Sequence, residues 1–125
     1  MLFRSAVGKC LPLMHTASGY IFLSSLSSDA LKEILISEGH SSLSDSDFSS
    51  LKEKLEKIHT SRICLEQEEY EEGVVNIAVP IYKYTGRPIA AICVSIPVQR
   101  AQEELLNKMT EKLKKISRAI SSLPL

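Results

Sequence analysis

Apolar positions along this chain follow two different periods, and the switches between them mark the elements. Residues 2–7 read as a short strand closed by Gly8. After Leu11-Pro12-Leu13, Thr16 offers an N-capping hydroxyl to a short helix carrying Ala17, Ile21, Phe22 and Leu23. Gly19 weakens that helix by up to about 1 kcal/mol. A second helix starts from a cap at Ser28, with Asp29 in its first turn, an apolar stripe of Leu31, Ile34 and Leu35, and Gly39 as its stop. Serine and aspartate dominate residues 41–50 and predict a connector, because these side chains compete with the backbone for hydrogen bonds. Helical spacing then returns in Phe48, Leu51, Leu55 and Ile58, predicting a third helix over 47–60.

From Val74 the period becomes that of a strand. Residues 74–81 and 89–96 are rich in β-branched side chains and are joined by Tyr82-Lys83-Tyr84-Thr85-Gly86-Arg87-Pro88, which predicts a hairpin with a glycine-containing loop. Pairing Tyr82 with Arg87 sets Asn76 opposite Cys93, Ala78 opposite Ala91 and Val74 opposite Ser95. One hairpin face then carries Val75, Ile77, Val79 and Ile81 against Ala90, Ile92, Val94 and Ile96, as a sheet packed on helices requires. The other face is small and mildly polar, with Asn76, Cys93 and Ser95 on it. Such a face either leaves room for a compact polar ligand or accepts a closely packed helix, and the pattern leaves both open. Over 98–122 the helical period resumes in Ala101, Leu105, Met109, Leu113, Ile116 and Ile120, with lysines and Arg118 on other faces, so the chain closes in a long amphipathic helix.

Composition narrows what this arrangement can do. In 125 residues there is room for one modest core. Fifteen basic residues balance fifteen acidic ones, so no net field is available to hold a phosphate backbone, and the chain alone is not expected to bind nucleic acid. No apolar run reaches the roughly 20 residues of a membrane span. The three cysteines form no CxxC pair, which fits a reducing, cytoplasmic setting. Glu66, Glu68, Glu69, Glu71 and Glu72 form an acidic run ending at Gly73, mostly a solvated surface, and no His or Cys recurs at metal-ligand spacing. His15, His40 and His59 fall in no nucleophile motif, and there is no GxSxG, P-loop or dinucleotide fingerprint, so neither a catalytic residue, a metal nor a cofactor is expected.

Leu11-Pro12-Leu13 followed by Thr16-Ala17-Ser18-Gly19 resembles the LPLHxTAxGKA segment of IclR-type transcriptional regulators. Glu68-Glu69, Gly73, Ile77-Ala78-Val79-Pro80-Ile81, Gly86, Ala90-Ala91-Ile92 and Val94-Ser95-Ile96-Pro97 resemble the EExxxGxxxIAxPIxxxxGxxxAAIxxSxP signature of the same family. The order and spacing of these motifs carry the resemblance over residues 7–122. It implies a GAF-like α/β (α+β) fold, a curved antiparallel sheet with flanking helices, truncated at its N-terminus because the family's winged helix-turn-helix, linker helix and first sensor strands have no counterpart here. Residues 1–125 are then a single effector-binding domain, incomplete at its start. The resemblance also implies a small organic acid or aromatic metabolite as effector, met by backbone amides of Ala17 and Ser18 and by side chains at Glu66, Asn76, Cys93 and Ser95. A carboxylate repels a bound anion, so either the ligand presents a hydroxyl or neutral end to Glu66 or Glu66 takes up a proton on burial. Met14 stands at the family's usual His, Tyr20 at its usual Lys, and Asn76 where Cys is frequent.

Three readings compete: an effector-binding module of a regulator, an interaction or oligomerisation module with a vestigial pocket, and a small hydrolytic or thiol enzyme. A shortened sheet leaves an unpaired edge, and the closing helix has little sheet to bury its stripe, so a homodimer or higher homo-oligomer is expected.

Overall fold

The computed structural model describes residues 7–83 and 86–124, so the strand expected over residues 2–7 lies outside them except at Val7. Three helices come first: α1 (Ala17–Leu23), α2 (Ser28–Ser37) and α3 (Asp45–Ser61). Each opens on a hydroxyl cap, with Thr16, Ser27 and Ser44 accepting from the backbone N–H of Gly19, Ala30 and Asp47 at 3.2, 3.2 and 3.1 Å. The cap of α2 is therefore Ser27 where Ser28 was expected. Helix α3 likewise starts two residues before its expected position, taking part of the serine-aspartate connector into its first turn. The physical reason is the same property that suggested a loop: Ser44 caps well, and Asp45 and Asp47 sit favourably at the positive end of the helix.

Strands β1 (Cys64–Gln67), β2 (Val74–Tyr82) and β3 (Pro88–Pro97) form an antiparallel sheet in the order β1-β2-β3. A 3₁₀ turn over Val98–Arg100 precedes α4 (Glu103–Ser121), which begins later than the expected 98 because Gln102 is extended, at φ −76° and ψ 152°. The acidic stretch concealed β1. Its pairing sets Glu66 against Asn76 and Cys64 against Ala78.

The hairpin register differs from the expected one by two residues. Asn76 faces Ser95, Ala78 faces Cys93, Pro80 faces Ala91 and Val74 faces Pro97, with an irregularity between Ile81 and Tyr82 that brings Tyr82 to Pro88. Side chains alternate along a strand, so a slip of two leaves every residue on its expected face. Among the described residues β1 pairs only as far as Ala78, and Pro80 lies beyond that pairing, where a residue without an N–H is tolerated.

Both sheet faces are covered. Helix α4 lays Leu113, with Leu105, Leu106 and Met109, on Ile77, Val79 and Ile96. On the other face Ala17, Tyr20, Ile21 and Leu23 of α1 join Leu31, Leu35, Leu51, Leu55, Ile58, Cys64 and Ala78 in a second buried cluster. Small residues at Ala78 and Ala91 let α1 approach, so over that half of the face a packed helix took the room. Gly19 sets the entry of α1, since a Cβ there would overlap the Leu13 carbonyl and the Thr16 hydroxyl. Among the described residues no helix is long and apolar enough to cross a membrane.

Candidate functional site

Beyond the reach of that apolar contact, the inner face turns polar, and four of the expected residues meet there. Ser95 donates its hydroxyl to Asn76 Oδ1, and the Cys93 thiol donates to the same oxygen at 3.8 Å. Asn76 Nδ2 donates to Glu66 Oε1 at 2.9 Å, and the backbone N–H of Glu69 donates to Glu66 Oε2 at 3.0 Å. Glu66 is fully buried, while Asn76 and Ser95 are half-buried. Alternation and pairing explain the convergence: Glu66 on β1, Asn76 on β2 and Ser95 on β3 are register partners across three strands, and Cys93 stands one pleat away.

Cys93 is exposed as a residue, yet its thiol is desolvated and lies within reach of the Glu66 charge, which together push it up to about 11. Burial first, then neighbouring carboxylates, raise Cys64 to about 12. Both are thiols at neutral pH, and a thiol is a weak donor where a thiolate would be a nucleophile. Among the described residues no group of three or more His, Cys, Asp or Glu is placed to hold a metal ion.

The remaining two expected residues stand at the head of α1. Ala17 is buried in the cluster with Cys64 and Ala78, and Ser18 is half-buried. Their backbone N–H groups occupy the first turn, where no intrahelical acceptor precedes them. No hydrogen bond joins either residue to the Glu66, Asn76 and Ser95 chain.

A second polar cluster beside the first was not anticipated. Glu69 accepts from the Tyr20 hydroxyl and from Lys54 Nζ, each at 2.8 Å, and His15 Nδ1 lies 3.6 Å away. Lys54 also stands 4.0 Å over the Tyr20 ring. Burial works against the charge on Glu69, but the hydrogen bonds from Lys54 and Tyr20 outweigh it and hold the carboxyl below its usual range. Burial, then the hydrogen bond to Glu69, raises the Tyr20 phenol. The sequence signals were a tyrosine three residues after Ala17 and the Glu68-Glu69 pair, but neither shows that the partners meet.

Residues 1–122 match the sequence family of the bacterial transcriptional regulator IclR C-terminal region. The HTH-type transcriptional regulator KdgR of Escherichia coli K12 is 31% identical over 121 residues, covering 94% of this chain and 46% of that protein. A structure of a double mutant of the PobR transcription factor inducer-binding domain from Acinetobacter, complexed with 3-hydroxybenzoic acid, superposes with a TM-score of 0.78 at 29% identity, over 91% of this chain and 67% of that one. A transcriptional regulator candidate from Rhodococcus sp. RHA1 gives a TM-score of 0.81 at 26% identity, over 97% of this chain and 51% of that one. The chain spans about half the length of the curated relatives it matches. These relatives are transcriptional regulators, not enzymes.

Proposed function

Because the chain belongs to the IclR family of bacterial transcriptional regulators, in the C-terminal part of that family, we propose that residues 1–125 act as one effector-binding domain. The ligand lies against Glu66, Asn76, Cys93 and Ser95, with the backbone N–H groups of Ala17 and Ser18 closing over it, and its occupancy biases the DNA-binding part of the regulator. One observation carries this reading: three neighbouring strands place a buried carboxylate, an amide, a hydroxyl and a thiol in a single hydrogen-bonded chain on the inner face. A core that only packs helices has no use for such a chain, since each buried polar group costs free energy unless partnered.

The chemistry also selects among ligands. Glu66 accepts at both oxygens and repels an anion brought next to it, whereas the α1 end of the site presents N–H donors. A small acid with a hydroxyl or other neutral donor at its far end satisfies both ends. Hydroxybenzoates have this form, and the double mutant of the Acinetobacter neighbour forms a complex with one. Thermal denaturation with 3-hydroxybenzoate, benzoate and short 2-hydroxy acids tests the proposal. A ligand at 100 times its Kd stabilises by about 2.7 kcal/mol, several degrees in Tm for a chain of this size. A flat response across such a panel favours the interaction module with a vestigial pocket.

Self-association belongs to the same proposal. Strand β3 pairs only with β2 among the described residues, Ile89 on it is 57% exposed, and Ile116 on α4 is 44% exposed. A homodimer or larger homo-oligomer covers that edge and the outer part of α4.

A further inference from the structure

A cleft of about 550 Å³ opens at the far end of β2, between the end of α3 and the last turns of α4. Asn76 and Tyr82 are six residues apart on β2, about 20 Å at 3.3 Å per residue, so this cleft is distinct from the site proposed for the effector. Arg62, Lys114 and Arg118 line it together with His59, and no carboxylate is among its lining residues. The two ion pairs among the described residues both end on Glu69, so none of the three permanent cations has an acidic partner there.

Cations are ordinary near helix C-termini, and two such termini border this cleft. The magnitudes exclude that as a full account. Each helix end contributes about half a negative charge, so both together offset about one of three full positive charges. Arg62 also stands in the left-handed region, at φ 57°, as the residue ending α3, a place that glycine fills without steric cost. Its guanidinium lies 4.9 Å over the Tyr82 ring, which orients the fork. The opposite wall is fixed as well. Ser117 donates to the Pro80 carbonyl and the Tyr82 N–H donates to Ser121 at 3.0 Å, tying the turns that carry Lys114 and Arg118 to the strand.

We propose that this cleft binds a small organic or inorganic anion with two or more negative charges on phosphoryl or carboxyl groups. Two guanidinium forks and an ammonium on anchored walls match planar or tetrahedral oxyanions, and the volume falls within the range of small-molecule sites. The site lies in the same fold as the effector pocket but does not depend on it.

Isothermal titration of the full chain with inorganic pyrophosphate and with citrate, against acetate as a single-charge control, tests the assignment. One-to-one binding of pyrophosphate or citrate, with acetate silent, is expected, and the stronger of the two identifies the oxyanion preferred. Arg118→Gln and Arg62→Gly should each weaken that binding by about tenfold or more, the loss of a charge-assisted hydrogen bond. Glycine suits the backbone at position 62, so Arg62→Gly keeps the fold intact and a loss there reports on the side chain. Lys52→Gln, the same loss of charge on an exposed turn of α3 away from the cleft, should leave it unchanged. Absence of binding at millimolar concentration, or equal binding by the chain and both cleft variants, overturns the proposal.

Discussion

At the scale of single residues, Glu66 is the fully buried charge-bearing side chain on which the polar chain of the inner face ends. Its two oxygens receive two different donors, Asn76 Nδ2 and the Glu69 N–H, from two directions. Glu66→Gln keeps the shape but turns one acceptor into a donor, so either a hydrogen bond is lost or the Asn76 amide turns over and gives up its present bonds from Ser95 and Cys93. We expect a loss of about 1–3 kcal/mol in urea denaturation and an altered order of preference among hydroxy acids and plain acids. Unchanged stability together with unchanged ligand order would remove Glu66 from the site. Gly19 acts by what it lacks. With the Leu13 carbonyl and Thr16 hydroxyl filling the space of a Cβ, Gly19→Ala must push the residues before α1 aside. Against the usual gain from Gly to Ala in a helix, we expect a net destabilisation of about 1–3 kcal/mol, visible as a lower urea midpoint.

At the scale of elements, the cluster around Glu69 joins three that have little else polar between them: Tyr20 on α1, Lys54 on α3 and the loop from β1 to β2. Glu69 is held below the usual carboxylate range in the folded chain. Its contribution to stability is therefore present above the unfolded value of about 4.3 and lost as pH falls through the lowered folded value. Glu69→Gln should be less stable than the parent chain near neutral pH, and the two urea midpoints should converge as pH drops below about 4. A gap that stays constant down to that pH assigns the loss to packing and not to charge. Because Glu69 is one-third exposed, solvent screens the pair and the gap at neutral pH should be modest.

At the scale of the whole molecule, the sheet has three strands and two helical coverings among the described residues, but the coverings are unequal. The α1 side buries a large cluster with contributions from α2 and α3, whereas α4 buries Leu113 and leaves Leu105, Met109 and Ile120 half-buried. Burying a side chain of this size is worth about 1.5–3 kcal/mol, so an association that covers several of them has ample driving force. Sedimentation at micromolar concentration should show dimers or larger species, and Ile89→Lys on the β3 strand should shift the distribution toward monomer when the sheet edge is the contact. A cooperative monomer throughout that range removes the proposal of self-association.

Local order was legible in the chain because it is written at the period of each element. The three early helices, the two long strands and the amphipathic α4 each repeat an apolar side chain every two residues or every three to four, so their place and inner face follow from spacing. Parity explains why Asn76, Cys93 and Ser95 could be set on one face even with the pairing two residues out. The pairing itself depends on the irregularity between Ile81 and Tyr82, which no spacing records. Strand β1 was hidden for a related reason: Cys64 and Glu66 face inward and Leu65 and Gln67 outward, so a buried glutamate takes the place where the pattern wants an apolar residue. Only the folded sheet supplies what makes that burial tolerable, namely Asn76 from β2 and the Glu69 N–H. The meeting of Tyr20 with Glu69, and of Arg62 with Lys114 and Arg118, joins segments about 50 residues apart in the chain. Charge and hydroxyl positions on a helix surface carry no period tied to a partner, so these encounters were decided by tertiary packing alone.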